Sequence, residues 1–346
     1  MPNIDRSHDL DNLGDIVDRL VTVDLWCRPE VLPLYRAARN HQNGPLCLLA
    51  ARNLLERIDI DRKDVVFFVT GFISPTLLVG EQDGPVGSAS LARSLAYALN
   101  IRPVVITDED QVEMVQQTFR GGGFNVFDLP AALQAGLVRG KSAAVTSFPK
   151  DPSDAKRRAK SLLDDLEPAA LIAIERPSGN DKGRYHGIGG HDITDLHAKT
   201  DILFAEARSR GILTIGVGDG GNELGSGIIE EAVKACRPNS GRCNCPCEGT
   251  VAAHSRTDVF VLASISDWGA LGIEACIAAL QRDPQVLHSE DVMRAILWEA
   301  TYAGLEDGMA GWVDPGSDGI SWRIEIGLLT MLRTLVTNFL SRPKGY

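Results

Sequence analysis

Between residues 216 and 225 the chain reads Gly216-Val217-Gly218-Asp219-Gly220-Gly221-Asn222-Glu223-Leu224-Gly225, two carboxylates and a carboxamide set among glycines. The apolar run 212–217 before it reads as a buried strand, and a helix-like pattern follows. Glycines at a strand end let the backbone turn sharply and approach a ligand closely. The helix N-terminus behind them offers free N–H groups to an anion, which makes Gly220 and Gly221 candidate substrate contacts. Asp219, Glu223 and Asn222 together make a hard-oxygen set for a divalent cation, or an acid–base pair. The spacing is not the dinucleotide fingerprint, and no phosphate-loop Lys-Ser/Thr follows. A strand–helix turn with solvated acids would carry the same letters.

Two more segments repeat the pattern. In Glu81-Gln82-Asp83-Gly84-Pro85-Val86-Gly87-Ser88, the residues Gly84 and Gly87 suit a tight turn and Ser88 a helix cap. Glu81 and Asp83 fall on one side of an extended stretch, as paired metal-binding or proton-sharing carboxylates do. In Ile174-Glu175-Arg176-Pro177, an apolar strand again ends in an acid, and Arg176 can clamp a carboxylate or phosphate through two parallel hydrogen bonds. Tyr185, His186 and His191 follow as candidate proton carriers. A surface turn, and loop histidines bonded to backbone, are the plain alternatives.

Four of the seven cysteines cluster, Cys236, Cys243, Cys245 and Cys247, and would suit a structural Zn²⁺ clip, although no Cys-x-x-Cys pair is present. Free thiols are the competing reading. Cys27, Cys47 and Cys276 read as small core residues.

The elements that must position these groups alternate. Buried-strand runs lie at 65–69, 104–106, 124–127, 143–145, 170–174, 212–217 and 259–263, with helical patterns at 88–99, 109–119, 154–166, 196–210 and 268–280. Such alternation predicts an α/β fold: a doubly wound, mostly parallel sheet in an α/β/α sandwich. Extra helices are predicted at both ends, with residues 1–62 a helical segment packed on a catalytic domain at 63–346. Gly121-Gly122-Gly123 reads as a connector. Parallel sheets bind ligands at the carboxyl ends of their strands, so Asp83, Glu175, Asp219 and Glu223 are expected to meet there. Gathered carboxylates repel, and proteins tolerate this chiefly by holding a cation or a proton. With Glu81, the expected cation ligands are therefore Asp83, Glu175, Asp219 and Glu223, and the expected cation is Mg²⁺ or Mn²⁺.

A length of 346 residues with 44% hydrophobic content supports a large core, and a net charge of -11 argues against a nucleic-acid partner. No apolar run approaches the ~20 residues that span a bilayer, and the acidic start resembles neither a signal nor a transit peptide. The expectation is a cytoplasmic protein acting on a small polar molecule, with a homo-oligomer left open.

Val69-Thr70-Gly71-Phe72, Glu81-x-Asp83-Gly84-Pro85-x-Gly87, Ile174-Glu175-Arg176-Pro177 and the Gly-Asp-Gly-Gly-Asn-Glu block resemble the D-glutamate cyclase family, specifically its catalytic C-terminal domain. So do Ser266-Asp267-Trp268-Gly269 and Val313-Asp314 … Asp318-Gly319-Ile320-Ser321-Trp322. The chain departs from the family pattern at Gln82, Ser178, Asp267, residues 185–187 and the cysteine-rich loop. The resemblance implies an α/β/α hydro-lyase that closes D-glutamate to 5-oxo-D-proline. In it Glu223, Asp219, Glu175 and Asn222 would serve catalysis, and Arg176, Gly84, Gly87, Ser88, Tyr185, Gly220 and Gly221 would hold an acidic amino acid. Metal-assisted hydrolysis of a phosphate ester, and a ligand sensor without turnover, are the competing functions.

Overall fold

The computed structural model describes residues 6–62, 64–134, 141–237 and 240–342. Three helices, α1 (Arg6–Val21), α2 (Val31–Gln42) and α3 (Leu46–Arg57), precede the first strand. Then follow β1 (Val65–Thr70), α4 (Asp83–Ala98), β2 (Arg102–Thr107), α5 (Val112–Gly121), β3 (Asn125–Asp128), α6 (Leu129–Gln134) and β4 (Ser142–Ser147). The second half runs α7 (Pro152–Leu166), β5 (Ala170–Ile174), α8 (Thr200–Ser209), β6 (Leu213–Gly218), α9 (Glu230–Cys236), β7 (Val259–Leu262) and α10 (Ser266–Gln281). The tail holds α11 (Glu290–Tyr302), the small hairpin β8 (Gly316–Ser317) and β9 (Ile320–Ser321), and α12 (Trp322–Ser341).

The main sheet has seven parallel strands in the order β3-β4-β2-β1-β5-β6-β7. Strands buried on both faces need apolar side chains at successive positions, which is why β1 reads Val-Val-Phe-Phe-Val. Alternation splits that run between two cores. Val66 and Phe68 join a large core with α1, α3, α4, α10, α11 and α12. Val65, Phe67 and Val69 join a second core with α6, α7 and α8. The α/β/α sandwich expected from the sequence is therefore present. Strand order reverses between β1 and β5, and ligands of open parallel sheets bind at that reversal.

The N-terminal helices share the large core through Leu13, Val17, Val21, Leu34, Leu46 and Leu54. They are also tied in by a buried acid. Asp18 accepts hydrogen bonds from the first N–H groups of α3, at Leu46 (2.7 Å) and Cys47 (3.1 Å), and from the Tyr35 hydroxyl (3.1 Å). Pro45 precedes α3 and offers no side-chain cap, so α1 supplies the acceptor that a local Ser or Asp would otherwise give.

One helix start differs from the sequence expectation, with consequences for the site. The tight turn and Ser88 cap are replaced by helix from Asp83 onward, which leaves Ser88 buried in its interior. Pro85 is tolerated because it lies in the first turn, where a backbone N–H would have no intrahelical acceptor. Gly84 and Gly87 serve close approach rather than turning. A Cβ on Gly84 would lie 2.6 Å from Thr70 Oγ1 and 2.9 Å from the Ile174 carbonyl, and one on Gly87 would lie 2.9 Å from Asp267 Cα. Bare glycine lets the start of α4 press against the ends of β1 and β5 and the start of α10.

Helix α12 has 20 residues with mean hydropathy 1.2, enough by length and composition to cross a membrane, contrary to the sequence reading. Its buried stripe, Glu325, Leu328, Leu329, Leu332 and Val336, has the spacing of a helix packed on a core, and it lies against α10 and α11.

Candidate active site and a second donor cluster

The strand-end acids do converge. Carboxylate oxygens of Glu175, Asp219 and Glu223 all lie within 4.8 Å of one another, beyond the ends of β5 and β6. Glu175 takes a backbone φ of +42°, a conformation L-residues rarely adopt, and Ser266 Oγ at the start of α10 donates to its Oε2 (2.6 Å). Strain of this kind persists only where the surroundings enforce it, and it gathers at functional sites. Burial, then the charge of Asp83 and next Glu223, holds the Glu175 carboxyl well above the usual carboxylate range.

Asp83 and Glu81 are neighbours of that trio but not members of its donor set. Asp83 is buried, its Oδ1 has no hydrogen-bond partner, and burial followed by the charge of Glu81 raises its proton affinity sharply. Glu81 is pushed to about 8 by burial and then by Asp219. Acids not weighed as ligands in the sequence also join the cluster, Asp267 and Asp318 among them. Asp267, at the start of α10, accepts from Ser317 Oγ (2.9 Å), leaves Oδ1 without a partner, and is raised by burial to about 7. Asp318, with φ +50°, is raised well above its usual range by burial and then by Asp219. The helices α4 and α10 both begin here, so their positive ends offset part of the repulsion.

Glu223 has a different role from the one expected. Its Oε1 accepts the N–H of Asp219 (3.2 Å) and Gly220 (2.6 Å), and its Oε2 accepts that of Gly221 (2.7 Å). The loop N–H groups that the sequence offered to a substrate anion are thus spent on the loop's own carboxylate. Gly220 and Gly221 are corrected accordingly from substrate contacts to the cradle of Glu223. Gly221 must be glycine, because its φ is +93° and a Cβ would lie 2.5 Å from Val233 Cγ2. Burial followed by Asp219 raises Glu223 to about 7 despite those donors. Asn222 donates its amide N–H to the His186 carbonyl (2.9 Å), so it ties two loops together.

Arg176 is also a correction. It is fully buried. Its guanidinium pairs with Asp108 through both Nη atoms, and donates to the carbonyls of Gly71 (2.9 Å) and Ala198 (2.8 Å) and to Thr200 Oγ1 (3.0 Å). All three nitrogens are engaged, so none remains for a ligand carboxylate. Burial raises the Asp108 carboxyl, but Arg176 more than offsets this and holds it below its usual range. Tyr185 is corrected for a similar reason: it is buried against Phe72 and Ile193, and its hydroxyl donates to Asp201 (2.7 Å). His191 is exposed.

A cation that does reach the acids is Arg28, from the segment between α1 and α2. Its Nη1 lies 3.0 Å from Asp219 Oδ2, and Nη2 donates to the Ser264 carbonyl. Nearby Trp26 Nε1 donates to the Asp318 carbonyl (2.7 Å). The N-terminal segment was expected only to pack on the core, yet the stretch between α1 and α2 also sets Arg28 beside Asp219 and Trp26 beside Asp318. Nothing in the local sequence around Arg28 marks it, because the site acid it meets, Asp219, lies 191 positions away.

The second donor cluster joins His186, Cys243, Cys245 and Cys247. Cys236 is not part of it, since it ends α9 and its Sγ–H donates to the Val233 carbonyl (3.0 Å). The fourth donor is a histidine from the loop after β5, too far along the chain for cysteine spacing to reveal.

The raised acids give a testable sign. Glu81 and Glu223 hold protons more tightly in the folded state than the usual carboxylate value of 4.5, so the stability they contribute is complete below about 4.5 and lost as pH rises through about 7–8. Chelated protein should therefore melt at lower temperature at pH 8 than at pH 6, and millimolar Mg²⁺ or Mn²⁺ should flatten that slope. A melting temperature that rises over this range without cation would show that these acids are not destabilised by burial.

Two comparisons bear on this arrangement. A family model described as D-glutamate cyclase-like, C-terminal, matches residues 36–333. The chain is 27% identical over 219 residues to human mitochondrial D-glutamate cyclase, a match that covers 62% of this chain and 32% of that protein. The matched part of the chain thus spans about a third of the length of this curated relative.

Proposed function

The chain belongs to the D-glutamate cyclase-like family, and from that premise we propose that it is a hydro-lyase closing D-glutamate to 5-oxo-D-proline with the help of a divalent cation. The observation that carries this reading is the convergence of Glu175, Asp219 and Glu223 within 4.8 Å at the sheet's reversal point. Three close carboxylates, with the unpartnered oxygens of Asp83 and Asp267 behind them, have the hard donors and excess negative charge that suit Mg²⁺ or Mn²⁺. Such an ion supplies Lewis-acid polarisation of a carboxyl group and offsets the repulsion among the acids.

Cyclisation asks the protein for three things. The substrate amine must give up a proton, the side-chain carboxyl must accept the nitrogen, and an oxygen must depart as water. Asp83 and Glu81, whose proton affinities are raised, are suited to take the amine proton and return it to the departing hydroxyl. Arg28, whose Nη1 pairs with Asp219, offsets part of the negative charge gathered among the acids. Asn222 and the Gly220-Gly221 turn hold Asp219 and Glu223 in place. Because ring closure is intramolecular, holding the chain folded accounts for much of the acceleration.

The test is turnover of D-glutamate, L-glutamate and a generic phosphate ester by purified protein, with and without Mg²⁺ or Mn²⁺. D-Glutamate should be converted to 5-oxo-D-proline, and Asp219→Asn should lose both the activity and the rise in melting temperature given by the cation. Hydrolysis of the phosphate ester without glutamate turnover would replace this reading, and cation or amino-acid binding with no turnover would favour a sensor.

A further inference from the structure

We propose that His186, Cys243, Cys245 and Cys247 bind one zinc ion that clips the loop after β5 to the loop before β7. Four donors from two loops meet at one point. Cys243 Sγ lies 3.4 Å from both Cys245 Sγ and Cys247 Sγ, and His186 Nε2 lies 3.2 Å from Cys245 Sγ and 3.7 Å from Cys247 Sγ. A tetrahedral zinc with bonds of about 2.3 Å to sulfur and about 2.0–2.1 Å to imidazole sets its donors roughly 3.5–3.8 Å apart. The observed spacings are close to those edges and too long for a disulfide.

The surroundings suit thiolates. Backbone N–H groups point at two of the sulfurs, from Cys247 to Cys245 Sγ (3.4 Å) and from Gly249 to Cys247 Sγ (3.3 Å). Such donors orient sulfur ligands and stabilise their charge. Sulfur and imidazole select zinc over the hard cations that suit the acid cluster. On binding, the three thiols release their protons to solvent and the imidazole stays neutral.

The clip has a structural task. Asn244 N and Nδ2 bond the carbonyls of Gly190 (2.9 Å) and Gly189 (2.8 Å), and Asn180 Nδ2 bonds Thr250 O (2.9 Å). These polar contacts already join the two loops, and a metal cross-link would fix them in register. His186 gives its ring to the cluster and its carbonyl to Asn222, which makes the clip continuous with the loop that carries Asp219 and Glu223.

Zinc content tests this without reference to glutamate turnover, so the assignment stands or falls separately from the reaction. Protein refolded under reducing conditions with zinc and then desalted should carry one zinc per chain by atomic spectroscopy. Glu223→Gln should keep it, since that residue belongs to the other cluster. His186→Ala should lose it, and His186→Cys should restore it by giving a four-cysteine site. Zinc chelation should lower the melting temperature of wild type and leave that of His186→Ala unchanged. A wild type with no zinc, an unchanged zinc content in His186→Ala, or an intact mass showing a disulfide among the three cysteines in the reduced preparation would overturn the proposal.

Discussion

Replacing Arg176 by alanine should lower folding stability by about 3–5 kcal/mol, because it leaves a buried carboxylate without its partner. Arg176 and Asp108 are both inaccessible to solvent, and the guanidinium also satisfies the carbonyls of Gly71 and Ala198. Those contacts join the ends of β1 and β5 to the segment before α8, so their loss should loosen the edge of the sheet on which the acids sit. Arg176→Lys keeps the charge but not the fork, and should fall between alanine and wild type. Replacing the pair by Met and Leu should recover much of the loss, since a buried ion pair often gives little net stability over apolar side chains of similar volume. Urea unfolding of the four proteins measures this. A wild-type midpoint for Arg176→Ala, with only KM raised, would return Arg176 to the role of substrate clamp.

Glu175→Gln should reduce turnover by ~10²–10⁴-fold, the scale of losing an acid–base or charge-stabilising group, while raising the melting temperature of cation-free protein. Both effects have one cause. Glu175 is buried beside Asp83, Glu223 and Asp219, so a neutral isostere relieves repulsion in the folded state and removes the charge that the chemistry needs. Ser266 can still donate to the amide oxygen. Glu223→Gln should differ: its carboxylate accepts N–H groups from Asp219, Gly220 and Gly221, and an amide would turn a donor toward them. Activity and melting temperature should then fall together. A stabilised Glu223→Gln, or a destabilised Glu175→Gln, would reverse the division of labour between the two acids.

Much of this was legible in the letters. Continuous apolar runs separated by helical periodicity specify parallel strands covered on both faces, because only that environment hides every side chain of Val65–Thr70 or Ala170–Ile174. Acids at the ends of such runs must share an edge, and Glu175, Asp219 and Glu223 do. Composition could not say what each side chain faces. Arg176 looked like a clamp because arginine pairs with carboxylates, and it does pair with one, Asp108 in the loop after β2. Ser88 looked like a cap because glycine and proline usually break helices, yet α4 runs through both to let backbones touch.

The sequence alone therefore determined the layers, the strand ends and the kinds of chemistry gathered there, since hydrophobic period and residue type are local properties. Only tertiary structure decided the partners. Arg28 reaches Asp219, Asp318 joins the acids, His186 replaces Cys236 among the sulfurs, and Glu223 occupies the cradle that its own loop forms. Each of these depends on distance through space between residues, and periodicity along the chain carries no information about that once the chain has crossed the sheet.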